Sequence, residues 1–146
     1  MRFFTIDWWQ GALGDDAAEA VVPAYQKHFA AIRERLPFAF RCIGEPGAPP
    51  LHDAHLLELD LGLGVRRAKL TFADYSMKKR FALVYDGVET FRATGHPQKG
   101  LGVPHGFGDL GYDEQDVIGD GLFEHRLLFS NGIELQIQFA GFAVEE

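Results

Sequence analysis

The chain has 146 residues, 47% of them apolar, a formal charge of −7 and one cysteine. This size suits one compact domain, residues 1–146, that buries roughly two-thirds of the surface its unfolded chain exposes. The charge argues against nucleic-acid and anionic-membrane binding, which need basic surfaces, and the lone Cys42 excludes an intrachain disulfide or a thiolate zinc cluster.

The opening Met1-Arg2-Phe3-Phe4-Thr5-Ile6-Asp7-Trp8-Trp9 has no long apolar run, and Asp7 interrupts it where a signal peptide would continue. A soluble cytoplasmic protein is expected. Thr5 can cap a short helical turn carrying Trp8 and Trp9, with Gly11 and Gly14 ending it. Asp15 and Asp16 then open a longer helix in which Val22, Tyr25, Phe29, Ile32 and Leu36 recur at three- and four-residue spacing, with Lys27, Arg33 and Glu34 off the stripe. Pro23 either kinks this helix or occupies its first turn, and Pro37 ends it. The helical part, residues 1–37, is too short for a core of its own, so its stripe is expected to pack on a sheet.

Residues 44–50, rich in Pro and Gly, connect to a β-rich part, residues 51–146. Alternating segments predict strands at 54–61, 65–73, 80–86, 88–93, 112–118, 122–130 and 133–144, with a hairpin turn at Asp86-Gly87 and a bulge near Gly141. Residues 95–111 hold six glycines, two prolines and two histidines and read as a long loop. At Ser130-Asn131-Gly132 a two-residue turn would mix apolar and polar faces. A three-residue loop with Gly132 left-handed instead sets Phe123, His125, Leu127 and Phe129 against Phe139, Ile137, Leu135 and Ile133, with Glu124, Arg126 and Leu128 on the other face.

Four groups of polar residues invite a chemical reading. His52, Asp53 and His55 could ligate zinc or iron, joined by His105 or His125, although the spacing is not a known ligand spacing. The competing expectation is that His52 or Asp53 closes the loop before a strand by bonding backbone amides. Gly106-Phe107-Gly108-Asp109-Leu110-Gly111 has the letters of a dinucleotide fingerprint, but a loop precedes it, a strand follows, and Lys99 is the loop's single basic residue. Asp109, Asp113, Glu114, Asp116 and Asp120 form an acidic cluster without EF-hand order, read as a solvated edge or a docking surface for a basic protein. His125 belongs to the core face, apart from Glu124, and no serine or cysteine carries a nucleophile signature.

Several patches, Met1 through Trp9, Arg35-Leu36-Pro37, Leu51-His52-Asp53-Ala54, and Phe123 through Phe129 followed by Glu134-Leu135-Gln136-Ile137, resemble a family of uncharacterised bacterial proteins classed as a domain of unknown function. Ile6-Asp7 stands where that family usually has Lys-Glu. The resemblance implies a bacterial, cytosolic, single-domain protein and carries over no functional residue. The resulting expectation is an α+β fold, N-terminal helices packed on a predominantly antiparallel sheet of hairpins. The leading function is a non-catalytic protein-binding module, immunity-like or regulatory, that needs no cofactor and docks a basic partner. Its binding residues would be Asp113, Glu114 and Asp116, with His52 and Asp53. The alternatives are a small metal-binding hydrolase centred on His52, Asp53 and His55, and a small-ligand site in a cleft between sheet and helix.

Overall fold

A computed structural model describes residues 1–95 and 106–146. Among them the alternating segments become strands β1 (Ala54–Gly62), β2 (Arg67–Ala73), β3 (Arg80–Asp86), β4 (Thr90–Gly95), β5 (Asp109–Gly119), β6 (Leu122–Phe129), β7 (Ile133–Phe139) and β8 (Gly141–Glu145). They form one antiparallel sheet in the order β4-β7-β6-β5-β1-β2-β3-β8. The helices are α1 (Ile6–Trp9), α2 (Asp15–Ile32) and α3 (Phe38–Arg41), with a 3-10 turn at Arg33–Arg35 between the last two. The fold is α+β.

The two ends of that strand order are joined through the chain. β4 continues β3 after residues 87–89, and β8 continues β7 after Ala140. Asp86 faces Gly141 and Thr90 faces Gln138, so residues 87–89 stand against 139–140, the extra residue that defines a bulge. Two long strands therefore bend together from a β1-β2-β3-β8 half into a β4-β7-β6-β5 half. Gly87 makes the corner: its φ is +64°, and a Cβ there would lie 3.0 Å from the Ala140 methyl. Among the described residues, strands of the two halves pair again where Ala54 and His55 face Leu110 and Asp109. The sheet curls on itself and closes at this narrow seam.

Inside the curl, Leu70, Phe72 and Tyr85 of one half meet Leu127, Phe129, Leu135, Ile137 and Phe139 of the other, all fully buried. The β6–β7 hairpin has the register that face purity requires, with Phe123 on Phe139, His125 on Ile137, Leu127 on Leu135 and Leu128 on Glu134. Gly132, at φ +77°, donates to the Phe129 carbonyl at 2.9 Å. Ile32 and Leu36 join this core and Phe29 packs on its margin. Val22 does not: it is 41% exposed, because the N-terminal half of α2 projects beyond the apolar surface. Pro23 lies inside α2, past its first turn, on an exposed face where water can take the carbonyl left without a donor.

Pro37 does more than stop a helix. Its carbonyl accepts from Phe40 and Arg41 and so starts α3, an element absent from the sequence reading. α3 delivers Phe40 into the core with its ring 5.0 Å, centroid to centroid, from each of His125, Phe139 and Phe142. The expected loop at 95–111 falls largely outside the described residues, with Lys99 and His105 in the omitted part. Residues 106–108 run directly into β5, so the glycine pattern ends inside a strand and has no helix N-terminus to hold a pyrophosphate.

Asp74 fixes the turn between β2 and β3. Its carboxylate accepts from the Ser76 hydroxyl and from the Lys78 and Lys79 amides. Desolvation alone would raise its pKa, but the Lys79, Ser76 and Lys78 hydrogen bonds outweigh it and hold the carboxyl below the usual range.

Two stability measurements follow from this packing. Phe40→Ala empties a fully buried ring site and is expected to cost about 3–5 kcal/mol in urea denaturation. Asp74 has a depressed folded pKa, so its contribution is present above the unfolded value of about 4 and is lost as pH falls through the folded value. Asp74→Asn should therefore lower Tm at pH 7, with the melting temperatures of the two proteins converging as the pH falls below the unfolded value and through the lower folded one.

Candidate functional site

β5 is the strand on which the polar residues converge. Past the seam its outer edge has no strand partner among the described residues, and α2 lies against it. The Tyr25 hydroxyl accepts the Gln115 amide there at 2.9 Å. Alternation then divides the acidic run between two environments. Asp113 and Gln115 oppose Leu127 and His125 on the inner face, whereas Glu114 and Asp116 oppose Arg126 and Glu124 on the outer face.

The outer face is closed by the start of the chain. The Glu114 carboxylate is 2% exposed. Its Oε1 accepts from the Phe3 amide at 2.6 Å and the Phe4 amide at 2.7 Å, and its Oε2 from the Arg2 amide at 2.8 Å and Arg126 Nη1 at 3.2 Å. Arg126 also pairs with Glu124, which accepts the side-chain amides of Gln136 at 2.6 Å and Gln138 at 2.8 Å. Asp116 meets His28 at 3.2 Å and Arg2 at 3.8 Å, and the Met1 amine meets Glu134 at 2.6 Å. The sequence reading placed Glu114 and Asp116 on a solvated acidic edge. The structure corrects this: both spend their charge on partners within the chain, because the N-terminal segment covers that face.

The inner face carries a different arrangement. Asp113 Oδ2 lies 3.1 Å from His125 Nε2, and His125 Nδ1 lies 2.7 Å from the Tyr85 hydroxyl. His125 and Tyr85 are fully buried. Burial and then the nearby Asp113 charge push the Tyr85 phenol well above its ordinary pKa, so it keeps its proton. An ionised carboxylate only accepts, so Nε2–H donates to Asp113. Tyr85 donates to Nδ1 when that nitrogen is bare and accepts Nδ1–H when it is protonated, so both ring nitrogens are satisfied in either form. His125 occupies the core face, as the hairpin register requires, but its acidic partner comes from β5 and not from its own strand.

Asp113 is partly exposed, at 26% of its side chain, and opens into a cleft of ≈ 380 Å³ beside the free edge of β5. Phe4, Tyr25, Leu51, His52 and Tyr112 line it. Phe4 stacks on Tyr112 at 5.2 Å and meets Tyr25 edge-on at 4.9 Å, and His52 approaches Tyr112 at 5.8 Å, giving a continuous ring wall. Gly111 lets the Trp9 ring of α1 close against the strand, at a spot any side chain would occupy. The Tyr25 phenol is raised by burial, with a further push from Asp113, so it also stays protonated.

His52, Asp53 and His55 do not act together. Asp53 is left-handed at φ +61°, its amide donates to the Leu110 carbonyl at 2.8 Å, and its carboxylate meets His52 Nδ1 at 3.0 Å. It therefore shapes the entry to β1 through its backbone, and not by accepting backbone amides as expected. His55 turns to Asp109 across the seam at 2.7 Å, while His52 stands at the rim of the cleft. Among the described residues, no three His, Cys, Asp or Glu side chains gather in a way that could hold a metal ion. His105 lies outside those residues. No helix among them is long and apolar enough to cross a membrane.

No protein-family model matches this chain, and no curated protein matches it.

Glu114→Gln tests the outer lock. It would set an amide group against donors and leave Arg126 with one fewer carboxylate. The expected cost is about 3 kcal/mol, and amide hydrogen exchange at Arg2, Phe3 and Phe4 should accelerate before the rest of the fold opens.

Proposed function

We propose that the protein is a small-ligand-binding domain whose site is the cleft between the free edge of β5, α2 and the segment around His52. The observation that carries this reading is Asp113: a partly exposed carboxylate, held from behind by two fully buried side chains, on the wall of an aromatic cleft. Ligand sites are typically concave and mostly apolar, with a few fixed polar groups. Holding Asp113 through His125 and Tyr85 removes rotamer freedom that binding would otherwise have to remove.

Docking of a basic protein, which the −7 charge favours, has weaker local support. Of the acidic residues that would carry it, Glu114 and Asp116 are engaged inside the molecule and Asp113 faces the cleft. A metal-dependent hydrolase would need His52, Asp53 and His55 to converge, and His55 is directed to Asp109 instead.

A charge-diverse fragment set titrated into ¹⁵N-labelled protein tests the proposal. Shifts are expected to cluster at Tyr25, His52, Tyr112 and Asp113. Binding that moves only the separate pocket around Gly47, Ala48, Lys79, Arg80 and Phe81 would reject this cleft as the site.

A further inference from the structure

We infer that the ligand this cleft takes is a small organic cation, an ammonium group carried on an apolar or aromatic body. The inference rests on the ligand-binding reading and narrows it through charge balance. Two acidic neighbours of the site meet arginines: Glu114 meets Arg126 and a row of amides, and Asp116 meets Arg2. Asp113 differs. Among the described residues neither lysine nor arginine meets it: its hydrogen-bonding partner is His125, and its side chain, 26% exposed, is the carboxylate that lines the cleft. Among the described residues no lysine or arginine lines the cleft.

Three further features select among ligands. An anion would face Asp113 with no lysine or arginine of the described residues lining the cleft to offset the repulsion. A bare divalent ion needs several oxygen ligands, and one carboxylate among rings does not supply them. The ring wall of Phe4, Tyr25 and Tyr112 suits a cation with apolar substituents, since aromatic faces attract ammonium groups and cover the rest of the molecule. At ≈ 380 Å³ the cleft lies near the lower end of ligand sites, the scale of a one-ring amine. The net charge of −7 favours the approach of cations.

The experiment is an NMR titration of the full chain with three probes of matched shape: 2-phenylethylamine, 2-phenylethanol and phenylacetate. The amine is expected to move the Tyr25, Tyr112 and Asp113 resonances with an affinity at least about tenfold above the alcohol, since a charged hydrogen bond contributes roughly 1.5–3 kcal/mol. Phenylacetate should leave them in place. In Asp113→Asn, which keeps an acceptor for His125, the amine's advantage over the alcohol should vanish. If that variant does not fold, Tyr112→Ala decides, with an expected loss of amine affinity of about threefold or more. Equal binding of the three probes at these residues, an amine preference that survives Asp113→Asn, or no loss in Tyr112→Ala would overturn the cation assignment and leave the cleft reading standing. Cleft resonances that respond to none of the probes, nor to any member of the fragment set, would overturn both.

Discussion

A carboxylate taken out of water must find partners for its charge and its lone pairs, and Glu114 finds them in three successive backbone amides. By fixing Arg2, Phe3 and Phe4 across β5, it sets the Phe4 ring against Tyr112 and Tyr25. Tyr25 in turn ties α2 to the strand through Gln115. The walls of the cleft therefore derive from a charge on the opposite face of the same strand.

The curl of the sheet supplies the other half of the site. Bending β3 into β4 and β7 into β8 brings Tyr85 of one half over His125 of the other. The short contact between β1 and β5 leaves an edge of β5 without a strand neighbour among the described residues, where Asp113 can reach both the core and the outside. A fully paired seam would have closed this opening. The polar contacts in the core are complete along Tyr85, His125 and Asp113, which lets a histidine lie among Phe40, Phe139 and Phe142 without an orphaned nitrogen.

Much of this architecture is written in short-range pattern. Two-residue alternation located the strands, and the need to keep both faces pure gave the β6–β7 register and the left-handed Gly132. The acidic run of β5 shows where such reasoning stops. Alternation implies that Asp113 and Gln115 cannot share a face with Glu114 and Asp116, so a run this polar, flanked by strands, had to bury some of its charge. That signal was available. The partners were not, because Arg2 through Phe4 approach from the far end of the chain and the register shifts at Gly111 and again near Ile118 move β5 relative to β6. Phe40 escaped for a local reason: it follows Pro37, where the helical stripe ends, and its helix is a single turn.

The contacts around Glu114 join residues 110 to 112 positions apart. During synthesis the N-terminal amides and the apolar side of α2 emerge long before their partners exist. At ~5–20 residues per second, roughly 5 to 20 seconds separate the appearance of Phe4 from that of Glu114. Throughout this interval Phe3, Phe4, Tyr25 and Phe29 have no sheet to cover them. A chaperone that shields aromatic segments would find its target in this early stretch of the nascent chain, and completion of the fold is tied to the arrival of β5 through β7 at the ribosome exit.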